Sequence, residues 1–333
     1  MGVSHWRGAA SAFQPGGRGR TDVCARRRGQ VLALNPATGK QMWRSALEGR
    51  IGTRGINYWR SADGTDERLL VINNGMLRAV DAATGQVIDG FGTDGGVDLR
   101  DALPTDVATP GSSLQTDNPG LIYRDTIIVS LPAGAYDYAS SPANIHGYDV
   151  MTGALKWTFN VVPREGEFGA DTWPDTPDRS SFSGVHNWSE STVDSELGLV
   201  YIPTGTARHD YFGGNREEDN LFANSIVALD AETEERVWHY QTVHHDIWDF
   251  DLPTAPKLMT ITKSGGPEGA LRWANAFRFW SSRPSRAGCS CWIVAPANRS
   301  GRSPKLRCRN RTCPAKKHRR HSRYPPGRFP TPA

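Results

Sequence analysis

Eight consecutive residues, His244 to Asp251 (HHDIWDFD), hold two histidines, three aspartates and a tryptophan. Carboxylates at this density can take a proton as a general base or offer hard oxygen ligands to a divalent cation. Imidazoles can hold or pass a proton near neutral pH, although paired histidines on a polar loop are commonly just solvated. Asp249 taken alone has two structural alternatives, capping a turn or pairing with His244 or His245.

The scaffold that must position this stretch begins directly ahead of it. Ile226 to Trp238 (IVALDAETEERVW) aligns with Val31–Trp43 (VLALNPATGKQMW), Leu77–Phe91 (LRAVDAATGQVIDGF) and Ile145–Trp157 (IHGYDVMTGALKW). In three of these segments Asn35, Asp149 and Asp230 precede a Trp by eight residues. Apolar alternation ahead of the Asp predicts a strand with one buried face, and the Asp-x-x-Thr-Gly turn lets a second strand return antiparallel. Glycine supplies the positive φ in that turn. The Trp is a flat group suited to packing between sheets.

Further strand-like runs lie between the hairpins, at ERLLVINNG near Leu70, GLIYRDTIIVSL near Ile122 and LGLVYIPTG near Val200. One extra strand pair per repeat makes four strands, which predicts an all-β propeller of four-stranded antiparallel blades. Repeat positions 35, 81, 149 and 230 are 46, 68 and 81 residues apart. A bare blade needs about 40 to 50, so the later blades carry long insertions, which on such a fold build the ligand-binding mouth.

Composition agrees. Among 333 residues, 38% hydrophobic and 22% charged, the 35 Gly and 11 Trp favour a turn-rich β protein. No run of about 18 apolar residues is present, and the N-terminus lacks the apolar core of a signal peptide. Charge is uneven: residues 30–263 hold 17 Lys and Arg against 33 Asp and Glu, while residues 264–333 hold 16 against the single Glu268. All five cysteines lie in the basic ends, so the acidic body has no thiol for a disulfide or soft-metal site.

The chain is therefore expected to divide into a basic segment at 1–29, a partial propeller at 30–263 and a basic tail at 264–333. Strand alternation stops at the tail, and the first repeat has no evident strand pair ahead of it. The tail admits a nucleic-acid-binding reading, a zinc site from Cys308, Cys313, His318 and His321, or translation outside the ancestral frame. The abrupt Arg, Pro, Ser and Cys enrichment favours the last, and no nucleic-acid partner is expected.

With the repeats and HHDIWDFD together, the body resembles the quinoprotein dehydrogenases that use pyrroloquinoline quinone (PQQ), most nearly the membrane-linked glucose and quinate dehydrogenase branch. The motifs that carry this are Gly184–Gly205 (GVHNWSESTVDSELGLVYIPTG), Asp210–Thr233 (DYFGGNREEDNLFANSIVALDAET) and Tyr240–Pro256 (YQTVHHDIWDFDLPTAP). The resemblance covers roughly Gly29 to Ile261. It implies an eight-bladed propeller, of which four repeats make about half, with PQQ and Ca²⁺ or Mg²⁺ in the central channel.

It further implies that Asp249 is the catalytic base, taking the proton of a sugar or cyclic-polyol hydroxyl while hydride leaves to the quinone. Trp188 would lie flat against the quinone, and Thr116 would bond a cofactor carboxylate. Asp249, Thr206 and Asp137 map onto the metal ligands, although relatives that oxidise alcohols carry Asn where Thr206 stands. Electrons would pass to a membrane quinone from a periplasmic, membrane-linked enzyme. The sequence departs from the family pattern in two respects that matter. The Lys expected about 25 residues after the base has no equivalent, so the chain as written is expected to be an inactive fragment. The vicinal cysteine pair of the alcohol-dehydrogenase branch is also missing, which favours the sugar or cyclic-polyol branch. A non-catalytic propeller scaffold of the cell envelope would share the repeats, yet would have no use for HHDIWDFD.

Overall fold

A computed structural model describes residues 30–103, 116–131, 143–176 and 182–258 in full, with strand backbones also at 10–13, 22–26, 259–262, 270–275 and 292–295. Its strands form five antiparallel sheets, each in simple sequential order. The first contains β1 (Ala10–Phe13), β2 (Asp22–Arg26), β3 (Gln30–Leu34) and β4 (Gln41–Arg44). The second contains β5 (Asn57–Arg60), β6 (Glu67–Asn73), β7 (Met76–Asp81) and β8 (Gly96–Asp98). The third runs β9 (Leu121–Tyr123), β10 (Thr126–Ser130), β11 (Ile145–Asp149) and β12 (Leu155–Phe159). The fourth runs β13 (Thr192–Asp194), β14 (Leu199–Pro203), β15 (Ser225–Asp230) and β16 (Arg236–Gln241). The fifth has three strands, β17 (Lys257–Thr262), β18 (Ala270–Asn275) and β19 (Trp292–Ala295).

The opening strand of each sheet touches the opening strand of the next, from β1 through β5, β9 and β13 to β17. That succession is the inner wall of a propeller, with later strands of each blade lying outward. Only short 3₁₀ turns, at Leu99–Ala102 and Ala170–Thr172, interrupt the β structure among the described residues. Within that same set no helix is long and apolar enough to cross a membrane.

Two parts of this architecture differ from the sequence reading. β1 and β2 supply the strand pair that the first repeat lacks on inspection, and β18 and β19 lie beyond Lys263, where alternation stops. Antiparallel pairing needs backbone donors and acceptors, not a particular side-chain alternation. Short strands of mixed composition therefore join a sheet without leaving a legible pattern.

The predicted turn chemistry is present in all four repeats. Asn35, Asp81, Asp149 and Asp230 each accept, through Oδ1, the amides two and three residues ahead, at 2.7 to 3.2 Å. Glycine takes the left-handed position at Gly39, Gly85 and Gly153, whereas the fourth repeat places Glu234 there with φ of 60°. The conserved geometry of the turn survives that exchange at a backbone cost of about 1 kcal/mol.

Hydrophobic contacts between neighbouring blades form the core. Val31 and Leu47 meet Leu69, Val71 and Val80 between the first two sheets, and Leu70 and Leu77 meet Ile127 and Val129 between the next two. Trp157 joins Val200 and Val227 between the third and fourth, and Trp238 joins Tyr201 and Leu252 near the fifth. The repeat tryptophans are thus blade-to-blade packing groups, each burying a large apolar area. Arg68 adds a polar link, reaching from β6 to the carbonyls of Val150 and Met151 at 3.1 and 2.7 Å.

Candidate active site

The topology brings together residues far apart in sequence. Arg54 lies just ahead of β5, Thr116 ahead of β9, Trp188 ahead of β13, and Asp249 and Asp251 ahead of β17. Because these inner strands sit side by side, their entry loops cluster at one end of the channel. β14 runs antiparallel to β13, so Thr206, just past the end of β14, returns to the same end.

Trp188 is held from both sides. The buried Asn118 side chain donates through Nδ2 to the Asn187 carbonyl at 2.9 Å, the Asn187 Oδ1 at 2.8 Å and the Ser189 carbonyl at 2.6 Å. Asn187 in turn donates to the Pro203 carbonyl at 2.7 Å. The indole Nε1 donates to Asp251 Oδ2 at 2.6 Å, and the Arg54 guanidinium lies over the ring at 4.8 Å from its centroid. Arg54 also donates to the Trp188 carbonyl at 2.5 Å. The result is a flat indole with a cation above it, which suits a planar anionic ligand.

Thr116 sits beside this platform on the loop that carries Asn118. Its hydroxyl accepts the Asn118 amide at 3.0 Å, so it has a turn role whether or not a ligand is bound. Asp117 on the same loop accepts the Thr53 amide at 3.0 Å and pairs with Arg50 at 3.0 Å, docking the loop onto the Arg54 segment. Burial acts to raise the Asp117 pKa, but these partners outweigh it and hold the carboxyl below the ordinary range.

The three aspartates of HHDIWDFD have separate environments. Asp246 is buried and accepts the Thr206 hydroxyl at 2.9 Å and the Asn224 amide group at 2.8 Å. Asp251 accepts the Thr206 amide at 2.6 Å besides the Trp188 indole. Asp249 stands open to solvent in a left-handed conformation with φ of 58°, and its Oδ2 meets the Tyr211 hydroxyl at 3.3 Å. Partial burial, followed by the negative charges of Asp251 and Asp210, raises its pKa above the ordinary carboxylate value, with the Tyr211 bond acting the other way. Asp210 is raised for the same first reason, with Arg208 at 3.7 Å opposing the shift.

This is a cluster of mutually repelling carboxylates, an arrangement that a hard cation with oxygen ligands would relieve. Among the described residues no group of three His, Cys, Asp or Glu side chains is already arranged around a metal position. Thr206, expected among the ligands, spends its hydroxyl on Asp246 and its amide on Asp251. Asp137 lies outside the described residues.

The two histidines do not pair with Asp249. His244 faces Asp219 at 3.4 Å and His245 Nδ1 lies 3.1 Å from the Glu218 carbonyl, which ties the loop to its neighbour. His186 was not singled out in the sequence; burial pushes its pKa down to about 4 against the pull of Asp251. Arg54, Asp251 and Tyr211 likewise escape sequence reasoning. Arg54 and Tyr211 lie outside HHDIWDFD, and only Asp251 was close enough in sequence to be grouped with Asp249.

Residues 17–275 match the family described as PQQ: Glucose/ethanol/alcohol dehydrogenase, beta-propeller domain. The match runs past Lys263 to the end of β18, further than the alternation visible in the sequence. The chain is 32% identical over 275 residues to quinoprotein glucose dehydrogenase A of Acinetobacter calcoaceticus, covering 71% of this chain and 32% of that protein. It is 29% identical over 270 residues to the quinate/shikimate dehydrogenase (quinone) of Acinetobacter baylyi, covering 71% and 32%. The quinohemoprotein alcohol dehydrogenase of Comamonas testosteroni shares the fold, with a TM-score of 0.61 at 23% identity over 78% of this chain and 40% of that one. The chain spans about a third of the length of these curated relatives. Its blades, its entry-loop cluster and a family match across most of its length place one conclusion beyond the fold itself: the chain belongs to the PQQ glucose/ethanol/alcohol dehydrogenase β-propeller family.

Proposed function

We propose that this chain carries the base and part of the cofactor platform of a PQQ-dependent dehydrogenase acting on a sugar or cyclic polyol. The observation that carries the reading is the placement of Asp249, its pKa raised first by partial burial and then by the charges of Asp251 and Asp210, at the same channel end as the Trp188 platform and linked to it through Asp251. Trp188 offers its indole face to the quinone ring, and Arg54 and Thr116 offer a cation and a hydroxyl to the cofactor carboxylates. Asp249 and Asp251 provide the carboxylate oxygens for Ca²⁺ or Mg²⁺, with Thr206 and Asp137 as the further candidates. When bound, the quinone supplies a two-electron acceptor and the cation supplies positive charge beside it.

Asp249 then receives the substrate hydroxyl proton at a carboxylate oxygen. A base with a raised pKa holds that proton better than an ordinary carboxylate, and the exposure of Asp249 leaves room for an alcohol to reach it. Tyr211, which already touches Asp249, keeps the carboxylate oriented until substrate arrives. By the same resemblance the working protein is periplasmic and membrane-linked and passes its electrons to a membrane quinone.

The test is a titration of PQQ into the full chain with Ca²⁺ or Mg²⁺ present, followed by a dye-linked assay with glucose, quinate and a simple alcohol. Binding lost in Trp188→Ala and kept in Asp249→Asn is the expected result for the chain as written. The loss of turnover in Asp249→Asn is read in a frame-restored protein that carries the family Lys, since the chain as written is expected to be inactive. Failure to bind PQQ with either cation refutes the proposal.

A further inference from the structure

We propose that Arg216 and Asp246 form a buried positioning unit that fixes the backbone on both sides of Asp249. The inference rests on the reading of Asp249 as the base and adds two residues that neither contact substrate nor hold the cofactor.

Arg216 is 0% exposed, deep in the loop between β14 and β15. Its guanidinium spans two chain segments. Nε donates to the Arg208 carbonyl at 3.2 Å, Nη1 to Asn220 Oδ1 at 2.7 Å, and Nη2 to both the His209 carbonyl at 2.9 Å and the Asp246 carbonyl at 2.7 Å. The first three contacts fold the Arg208–Asn220 loop around the side chain. The fourth fastens that loop to the HHDIWDFD segment. A planar fork with five donors can reach all four acceptors at once, whereas an ammonium group cannot.

Asp246, 2% exposed, continues the connection. Its Oδ1 accepts the Trp248 amide at 3.0 Å, and its Oδ2 accepts the Phe250 amide at 2.7 Å. Those are the amides on either side of Asp249. One carboxylate therefore closes the backbone across the base, which is how Asp249 is kept in its left-handed conformation. Thr206 and Asn224 bond the same Oδ2 from the ends of β14 and β15, so the closure is referred to the sheet. Asn224 also donates to the Phe250 carbonyl at 2.9 Å. The Asp246 carboxylate, buried and already accepting four donors, is a poor candidate for either base or metal ligand.

The consequence for function is geometric. Misplacement of a reacting group by about 1 Å can cost about a hundredfold in rate without weakening binding. Arg216 and Asp246 are accordingly positioning residues, acting only through Asp249.

The test measures amide hydrogen exchange at Trp248 and Phe250 in the full chain, as wild type, Arg216→Lys and Asp246→Asn, alongside kcat and KM of the PQQ- and Ca²⁺-loaded protein. Both amides are expected to be protected in the wild type although Trp248 is exposed. Each variant should lose at least about tenfold of that protection while the amides of β14 and β15 keep theirs. In the loaded protein kcat should fall about ten- to a hundredfold with KM and PQQ affinity within about threefold. Free-loop exchange at Trp248 and Phe250 in the wild type overturns the proposal, and this measurement remains decisive if a variant does not fold. Equal loss of protection throughout the sheet also overturns it, because the residues would then serve stability alone. Site-restricted loss of protection with kcat unchanged in a loaded protein that turns over supports the positioning unit while refuting Asp249 as base.

Discussion

Asn118→Asp is the most informative single change, because it preserves shape and inverts hydrogen bonding. The wild-type amide donates to three buried oxygens at 2.6 to 2.9 Å, and its own Oδ1 accepts the Gly120 amide at 3.0 Å. A carboxylate there keeps the Gly120 bond but turns an oxygen toward the Asn187 carbonyl, the Asn187 Oδ1 and the Ser189 carbonyl. Each neutral bond lost costs about 1 kcal/mol, and an uncompensated buried charge brings the total to about 3 to 5 kcal/mol. That penalty corresponds to a folded-state pKa about 2 to 4 units above the unfolded value near 3.9. Since the folded-state value is the raised one, the variant's deficit is full above it and shrinks by about 1.4 kcal/mol per unit as pH falls toward 3.9. Urea unfolding at pH 7, 6 and 5, compared with wild type at each pH, reads the difference directly. Asn118→Ala, which has no charge to neutralise, should show a constant deficit. A variant within about 0.5 kcal/mol of wild type at pH 7, or a deficit that ignores pH, would refute the account of how Trp188 is held.

Glu234→Gly should stabilise the protein by about 1 kcal/mol by relieving the left-handed turn of the fourth repeat, and an unchanged or lower melting temperature would contradict this. Acid should destabilise the fold through His146, which is fully buried and has its pKa pushed down by that burial to about 4. Its contribution is intact above the unfolded value near 6.5 and is lost as pH falls toward 4, at up to about 1.4 kcal/mol per pH unit. His146→Gln should therefore unfold less steeply with pH, and identical slopes in chemical denaturation between pH 7 and 5 would count against it. Gly147→Ala should cost about 1 to 3 kcal/mol, because a Cβ on β11 would run into the Trp157 indole beside it. Urea midpoints equal to wild type would show that the ring yields freely.

Repeats were legible because their chemistry is local. An aspartate that bonds the amides two and three residues ahead, a glycine at positive φ and a tryptophan eight residues on are all set within one hairpin. The strands β1, β2, β18 and β19 were not legible, since their pairing relies on partners in the sheet and leaves little mark on side-chain periodicity. At the site the sequence brought HHDIWDFD forward as a unit and made Asp249 its candidate base. It did not separate the three aspartates. Asp246 proves to be a backbone brace, Asp251 the partner of Trp188, and Asp249 the exposed carboxylate.

From sequence alone came the propeller class, the blade-closing turns, the loop that bears the candidate base and the family resemblance, all of which depend on neighbours within a few residues. Only the tertiary structure decided which carboxylate stands open, that Arg54 lies over Trp188, and that Arg216 reaches the carbonyl of Asp246. Those relations join loops from different blades. They are determined by the side-by-side packing of inner strands, and packing between blades leaves no spacing in the chain from which it could be read.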